Sequence, residues 1–262
     1  MQVRDLMTRE VITVSEEDSA IKVGDALERE NSSAAVVVKN GEVLGIVSKE
    51  TFFSKIGLFC ERRLEDFKVR DLMEYDVECV HEEDDLSVAC LGLLNLKTNV
   101  DRLPVLSDGK LSGILSKLEF TDLFAKKMGK KFKVRDLMAF SPVTIDDYAP
   151  LNKIVDEMLS SGVKRILVMS GNRMVGIIAV KDISLSLFRE KKMCKNFNPV
   201  SMLTAEDLMT RNPITVKSAA DAASAAKIMV EKGIGGIPVV DKKLEGIITR
   251  GCLLKGFQLS WK

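Results

Sequence analysis

The feature that most constrains this chain is a five-residue phrase that occurs four times. Val3-Arg4-Asp5-Leu6-Met7 returns as Val69-Arg70-Asp71-Leu72-Met73 and Val134-Arg135-Asp136-Leu137-Met138, and more loosely as Ala205-Glu206-Asp207-Leu208-Met209. The starts lie 66, 65 and 71 residues apart. A second phrase follows each of these: Gly45-Ile46-Val47-Ser48-Lys49, Gly113-Ile114-Leu115-Ser116-Lys117, Gly176-Ile177-Ile178-Ala179-Val180 and Gly246-Ile247-Ile248-Thr249-Arg250. It reads as a short buried strand that begins at Gly and runs into a residue able to cap a following helix. Self-similarity at a fixed period implies four copies of one supersecondary unit.

The pattern inside a unit is regular. In the first, the run 11–14 is β-rich, Ser15 is the expected N-cap, and 18–30 carries the apolar spacing of an amphipathic helix. The buried run 34–38 and the run 43–47 flank Asn40-Gly41, a two-residue hairpin signal, and a helix begins near Lys49. In the second, strands at 77–80, 103–106 and 111–115, the turn Asp108-Gly109 and helices at 86–96 and up to Lys127 repeat the order. In the third, Pro150 suits the first turn of a helix to Ser161, and Gly162 stands where a left-handed cap belongs; Gly233 does the same after a helix over 219–232. Each unit is therefore β-α-β-β-α, an α/β (α+β) arrangement with two helices covering one side of a sheet. One unit has too little core to stand alone, so pairing is expected.

Composition narrows the function classes. Of 262 residues 46% are hydrophobic, yet no apolar run approaches the roughly 20 residues of a spanning helix and the first residues lack a leader's apolar core. The reading is a cytoplasmic protein with no membrane segment. Basic and acidic residues number 39 and 38, a net charge of +1, so no global field draws nucleic acid. Two local clusters, Lys126-Lys127 with Lys130-Lys131-Lys133, and Arg189-Lys191-Lys192-Lys195, serve either as solvated helix ends or as a patch for nucleic acid or an acidic partner. Cys60, Cys79, Cys90, Cys194 and Cys252 show no Cys-x-x-Cys spacing and read as buried thiols. His81, the sole histidine, precedes Glu82-Glu83-Asp84-Asp85, which fits an acidic turn before a helix or, less simply, a metal site. With no second histidine, triads and two-histidine metal mechanisms are excluded within one chain. No nucleophile beside a base can be assembled from the repeated phrases, so the chain is not read as an enzyme and no metal is expected.

The repeat resembles the cystathionine-β-synthase (CBS) domain. The match rests on Asp-Leu-Met, on Ile12-Thr13-Val14 and Ile214-Thr215-Val216, on the segment from Gly233-Ile234-Gly235-Gly236 through Pro238 to Asp241, and on the Gly-Ile-Ile-Thr phrase. The resemblance implies four repeats, 1–62, 63–128, 129–195 and 196–262, in two pseudo-twofold pairs, 1–128 and 129–262. It also implies a regulatory protein that binds an adenosyl ligand between repeats, whether AMP, ADP, ATP or S-adenosylmethionine, and signals to a protein partner. A homodimer is compatible with the helical faces that paired repeats leave exposed. The alternative is a ligand-free scaffold acting through the basic clusters.

In nucleotide-binding members of the family the phrase extends to Gly-h-h-Ser/Thr-x-x-Asp, with h apolar. Hydroxyl and helix N–H groups hold phosphate, and a carboxylate one turn later accepts from the ribose hydroxyls. No copy here is complete. Ser48 and Lys49 are followed by Thr51; Ser116 and Lys117 by Glu119; Asp182 is preceded by Ala179; Thr249 and Arg250 are followed by Cys252. The family also brings the first-strand threonine of one repeat to its partner's phrase, which implies Thr13 for Ser116 and Glu119, Thr144 for Thr249 and Arg250, and Thr215 for Asp182. Arg250 suits a phosphate, whereas Asp182 without a hydroxyl suits a phosphate-free ligand such as S-adenosylmethionine. Capping accounts equally for Ser116, Glu119, Thr249 and Asp182.

Overall fold

The computed structural model describes residues 1–55, 64–96, 100–193 and 203–261. Repeat one runs β1 (Thr13–Val14), α1 (Ala20–Arg29), β2 (Ala34–Lys39), β3 (Glu42–Ser48) and α2 (Lys49–Ser54). Repeat two opens with a helical turn, Val69–Leu72, and continues β4 (Glu74–Tyr75), β5 (Val80–His81), α3 (Leu86–Asn95), β6 (Arg102–Ser107), β7 (Lys110–Ser116) and α4 (Lys117–Lys127). Repeat three has β8 (Ala139–Phe140), β9 (Thr144–Asp146), α5 (Leu151–Ser160), β10 (Arg165–Ser170), β11 (Arg173–Ala179) and α6 (Val180–Met193). Repeat four has β12 (Thr210–Arg211), α7 (Ala222–Glu231), β13 (Gly236–Val240), β14 (Leu244–Thr249) and α8 (Arg250–Ser260). The mixed α+β class and the β-α-β-β-α order match the sequence pattern, except that the first strand of repeat four is reduced to a single bridge from Val216 to Val239.

Local chemistry explains the joints. Asn40 and Gly41 (φ 54° and 87°), like Asp108 and Gly109 (φ 49° and 76°), have the left-handed backbone that a two-residue hairpin requires. Gly162 (φ 64°) ends α5, with Val163 N–H reaching back to the Met158 carbonyl at 3.0 Å. The expected N-cap at Ser15 is corrected: Ser19 caps α1, its Oγ accepting from Lys22 N–H at 3.2 Å. Ser15 instead forms a turn with Asp18, whose carboxylate accepts its N–H at 2.9 Å.

The two repeated phrases meet across each pair. β4 of repeat two pairs antiparallel with β3 of repeat one, and Thr8 returns the exchange by bridging to Ile114. β8 likewise joins β14, and β12 joins β11. The crossing segment lies directly over the phrase glycine. A Cβ on Gly45 would stand 2.1 Å from the Glu74 carbonyl oxygen, and one on Gly176 would stand 2.3 Å from Met209 Sδ. The Met of one repeat and the Gly of its partner are thus one packing unit, which is why the two phrases recur together.

Repeat one packs on three, and two on four. α2 lies on α6, where Phe52 and Phe188 meet edge-on at 6.2 Å and Ser184 Oγ donates to the Lys49 carbonyl at 2.6 Å. α4 lies on α7 and α8, with Phe257 set 5.9 Å from Phe120 and 5.6 Å from Phe124. The resulting hydrophobic clusters each span both pairs. This packing points all four phrase ends toward the middle of the molecule.

Candidate ligand-binding site

Two of the cavities among the described residues lie between repeats. The first, about 580 Å³, lies within the first pair between the lead segment of repeat one (Thr8, Val11, Ile12) and the phrase of repeat two (Leu118, Glu119). The second, about 530 Å³, lies between the corresponding lead segment of repeat three (Ala139 to Val143) and Thr249 to Cys252, and extends to residues of all four repeats. Both fall within the ordinary size of small-molecule sites.

The central cavity is strongly cationic. Arg102 and Lys117 reach it from the first pair, and Lys164, Arg165, Lys181, Arg250 and Lys255 from the second, against the carboxylates of Glu50 and Asp101. Burial lowers the Arg250 pKa to about 10, with the Arg165 and Arg102 charges acting in the same direction. Arg250 Nη2 donates to the Ile234 carbonyl at 3.2 Å, but its Nε is buried without a partner, the one such side-chain atom among the described residues. Burial also lowers the pKa of Arg165, against the pull of Asp101 and Glu50. Burial alone would raise Asp101, but Lys164 and Lys117, 2.8 and 2.7 Å away, hold it down to about 2. Cations this crowded in a restricted space favour an anion among them.

The first-pair cavity has a different balance, with Glu10, Glu30 and Glu119 against Arg29 and Arg102. Glu119 is already engaged: it accepts from Ser116 N–H at 2.8 Å, from Ser116 Oγ at 2.6 Å and from Thr8 Oγ1 at 3.1 Å. Ser116 Oγ in turn accepts from Leu118 N–H at 3.1 Å. The Ser116 to Glu119 phrase is a capping box, and the threonine that reaches it across the pair is Thr8.

The remaining candidates sort by burial. Thr13, Thr144 and Thr215 are exposed, and Thr13 and Thr144 line neither cavity; strand alternation turns their neighbours Ile12 and Val143 inward instead. The expectation that first-strand threonines reach the phrases is corrected on that ground. Ser48 and Thr51 are fully buried and close on each other, Ser48 N–H to Thr51 Oγ1 at 2.9 Å and Thr51 N–H to Ser48 Oγ at 3.1 Å. Lys49 is half-buried, its pKa lowered by burial and by Lys181. Lys117 lines the central cavity in an ion pair with Asp101. Asp182 accepts the Ala179 N–H at 3.2 Å and lines neither cavity. Thr249 lines the central cavity while accepting from Cys252 N–H at 3.3 Å.

Thr8, Asp101, Arg102, Lys164 and Arg165 were not singled out by sequence reasoning. For the last four the signal was positional: charged residues stand at the entry to the buried inner strands of repeats two and three, where repeat one has Ser33-Ala34 and repeat four Gly235-Gly236.

Other sequence features carry less. Lys126 pairs with Asp122 at 2.5 Å, Lys133 pairs with Asp221 at 2.6 Å, and Lys131 lies over the Phe132 ring, so the first basic cluster is partly neutralised locally. Of the second, Lys195 lies outside the described residues, as do the side chains of Arg189, Lys191 and Lys192. Cys60 and Cys194 also lie outside them. Cys90 is buried, and Cys79 and Cys252 are half-buried. Among the described residues no group of three metal-ligating side chains converges, at His81 or elsewhere, and no helix is long and apolar enough to cross a membrane.

Paired sheets exchanging their lead strands, with ligand-sized cavities between repeats, define a four-repeat, two-pair architecture. The family model of the CBS domain matches residues 3–57, 69–126, 134–189 and 205–258, and the chain belongs to the CBS-domain family. Protein MJ1404 of Methanocaldococcus jannaschii is 30% identical over 97% of this chain and 61% of its own length. Protein MJ1225 of the same organism is 27% identical over 83% of this chain and 84% of its own. The crystal structure of MJ1225, a proposed archaeal homologue of g-AMPK, superposes with a TM-score of 0.88 at 23% identity, covering 98% of this chain and 100% of that one. A conserved protein of Pyrococcus horikoshii has a TM-score of 0.67 at 23% identity, covering 98% and 99%.

Proposed function

We propose that this chain is a regulatory, non-catalytic CBS-domain protein that binds an adenosyl ligand in its inter-repeat cavities and signals occupancy to a protein partner in the cytoplasm. The observation that carries the reading is the central cavity: seven basic side chains, two carboxylates, and a buried guanidinium nitrogen without a partner. Those cations suit the phosphate of AMP, ADP or ATP, with Thr249 and Arg250 at the start of α8 on one side. Among such ligands, one that reports nucleotide charge state makes the protein an energy sensor. The first-pair cavity, whose charges are nearly balanced, suits a phosphate-free ligand such as S-adenosylmethionine.

Because the central cations come from both pairs, a bound anion stabilises the arrangement in which the pairs face each other. Occupancy then shifts the geometry seen by a partner, provided affinity differs between the arrangements. α2 and α4 are already covered within the chain, so a homodimer would use the remaining apolar surface, including Val88 and Leu91 on α3 and Leu259 on α8.

Isothermal titration of the full chain with AMP, ADP, ATP and S-adenosylmethionine tests the reading. Saturable binding of at least one is expected, and loss of phosphate-ligand binding in the double variant Thr249→Ala, Arg250→Ala. No binding of any of the four at millimolar concentration overturns it, since a ligand of the native state must register as heat or as stabilisation.

A further inference from the structure

Asp101 stands where the four repeats meet. The residues that immediately precede the inner strands β2, β6, β10 and β13 are Ser33, Asp101, Lys164 and Gly235, and all four line the central cavity. Only Asp101 brings negative charge to that position. Its carboxylate bridges Lys117 of its own repeat at 2.7 Å and Lys164 of the opposite pair at 2.8 Å. It also acts electrostatically on Arg165 and Arg250, the two guanidiniums that the second pair brings to this cavity. A tethered anion therefore already occupies part of the space that a ligand's phosphates would enter.

We propose that Asp101 is an intramolecular counter-anion that sets how much negative charge the central cavity accepts. With Lys117 and Lys164 held by Asp101, the cations left are Arg102, Arg165, Lys181, Arg250 and Lys255 against Glu50, and the fixed carboxylate discriminates against di- and triphosphates relative to a monophosphate. This rests on the adenosyl-ligand reading and specifies the ligand class within it. The physical reason is like-charge repulsion. Each further ionised phosphate either stands beside a fixed carboxylate or displaces it from Lys117 and Lys164, leaving a charge without its partners. The carboxyl's low pKa keeps it ionised across the physiological range, so the discrimination does not relax near neutrality. Displacement would also break the Asp101–Lys164 bridge between the pairs, so an overcharged ligand opposes the arrangement that a monophosphate stabilises.

The test is titration calorimetry of the full chain with adenosine, AMP, ADP, ATP and inorganic tripolyphosphate, comparing wild type with Asp101→Asn and Asp101→Ser. Serine is what repeat one carries at this position, which gives a second variant should Asn fold poorly. The expected result is a graded gain: adenosine within about twofold, AMP a few-fold tighter, ATP and tripolyphosphate at least tenfold tighter. An equal change for all five probes, or no gain for ATP and tripolyphosphate, overturns the proposal. If tripolyphosphate gains while no adenosyl compound binds either protein, the adenosyl reading fails and the role of Asp101 stands. If the adenosyl compounds bind wild type and variants alike, the reverse holds. If nothing binds, both fail.

Discussion

Arg165 lies across the backbone of Gly235: a Cβ built there would stand 1.9 Å from Arg165 Nη2, and one on Gly236 would stand 2.8 Å from Arg165 Cδ. Neither glycine has positive φ, so the requirement is for room and not for backbone freedom. Two adjacent glycines of repeat four thus make the channel through which an arginine of repeat three reaches the centre.

Gly235→Ala is expected to push Arg165 aside and to lower stability by about 1–3 kcal/mol, as overpacking at a close contact does. Phosphate-ligand affinity falls with it. Gly251→Ala is the control. Its Cβ meets only Thr249 Oγ1, at 3.6 Å, and removing a helical glycine should leave stability unchanged or raise it by up to about 1 kcal/mol. Thermal melts of both variants check this; equal destabilisation would remove the steric argument.

The Asp101 carboxyl gives stability a defined acid dependence. Its folded pKa, about 2, lies below the 3.8 of an unperturbed aspartate, so folding favours the ionised form. The contribution is complete above the unfolded value and is lost as pH falls through the folded one. The stability difference between wild type and Asp101→Asn should therefore be flat from neutrality to about pH 5 and shrink between about pH 4 and pH 2. Denaturant unfolding across that range measures it, and a difference that grows on acidification would contradict the assignment.

Phe257 locks repeat four to repeat two. It is 4% exposed and packs against Phe120 and Phe124 from the other pair. Phe257→Ala should cost about 3–5 kcal/mol, whereas Leu259→Ala should stay within about 0.5 kcal/mol. Leu259, two residues further on, is 54% exposed. Chemical denaturation of both variants distinguishes a core anchor from a surface residue.

Glu119 and Thr8 form a bond between repeats superimposed on a helix cap. Glu119→Ala should cost about 1–2 kcal/mol through the lost capping box. Thr8→Ala should cost less, and the double variant should cost less than the sum of the two, because the 3.1 Å bond is counted in both single changes. Strict additivity in a double-mutant cycle would show that the bond contributes nothing.

Much of the fold was legible because its signals are local. Asn40-Gly41 and Asp108-Gly109 specify tight hairpins, Gly162 a helix end, and the short apolar runs at Gly45 and Gly113 buried strands, each through chemistry confined to a few residues. The candidate site was legible only in part. Thr249 and Arg250 were found because the phrase containing them recurs. Thr13 and Thr144 were misplaced because a one-residue shift in strand facing sends a side chain to solvent. Ser48 has the right chemistry, but burial closes it against Thr51.

By itself the sequence determined four units, their internal order and the hydroxyls and cations at the phrase ends, since period-2 and period-3.6 patterns and turn residues act over short range. Tertiary structure alone decided that repeat one faces three and two faces four. That packing directs Asp101, Lys164 and Arg165, which in the sequence are unremarked charges at the mouths of strands, into one cavity with Arg250. Where a charge sits relative to another far along the chain depends on which faces are buried together, and no local pattern encodes it.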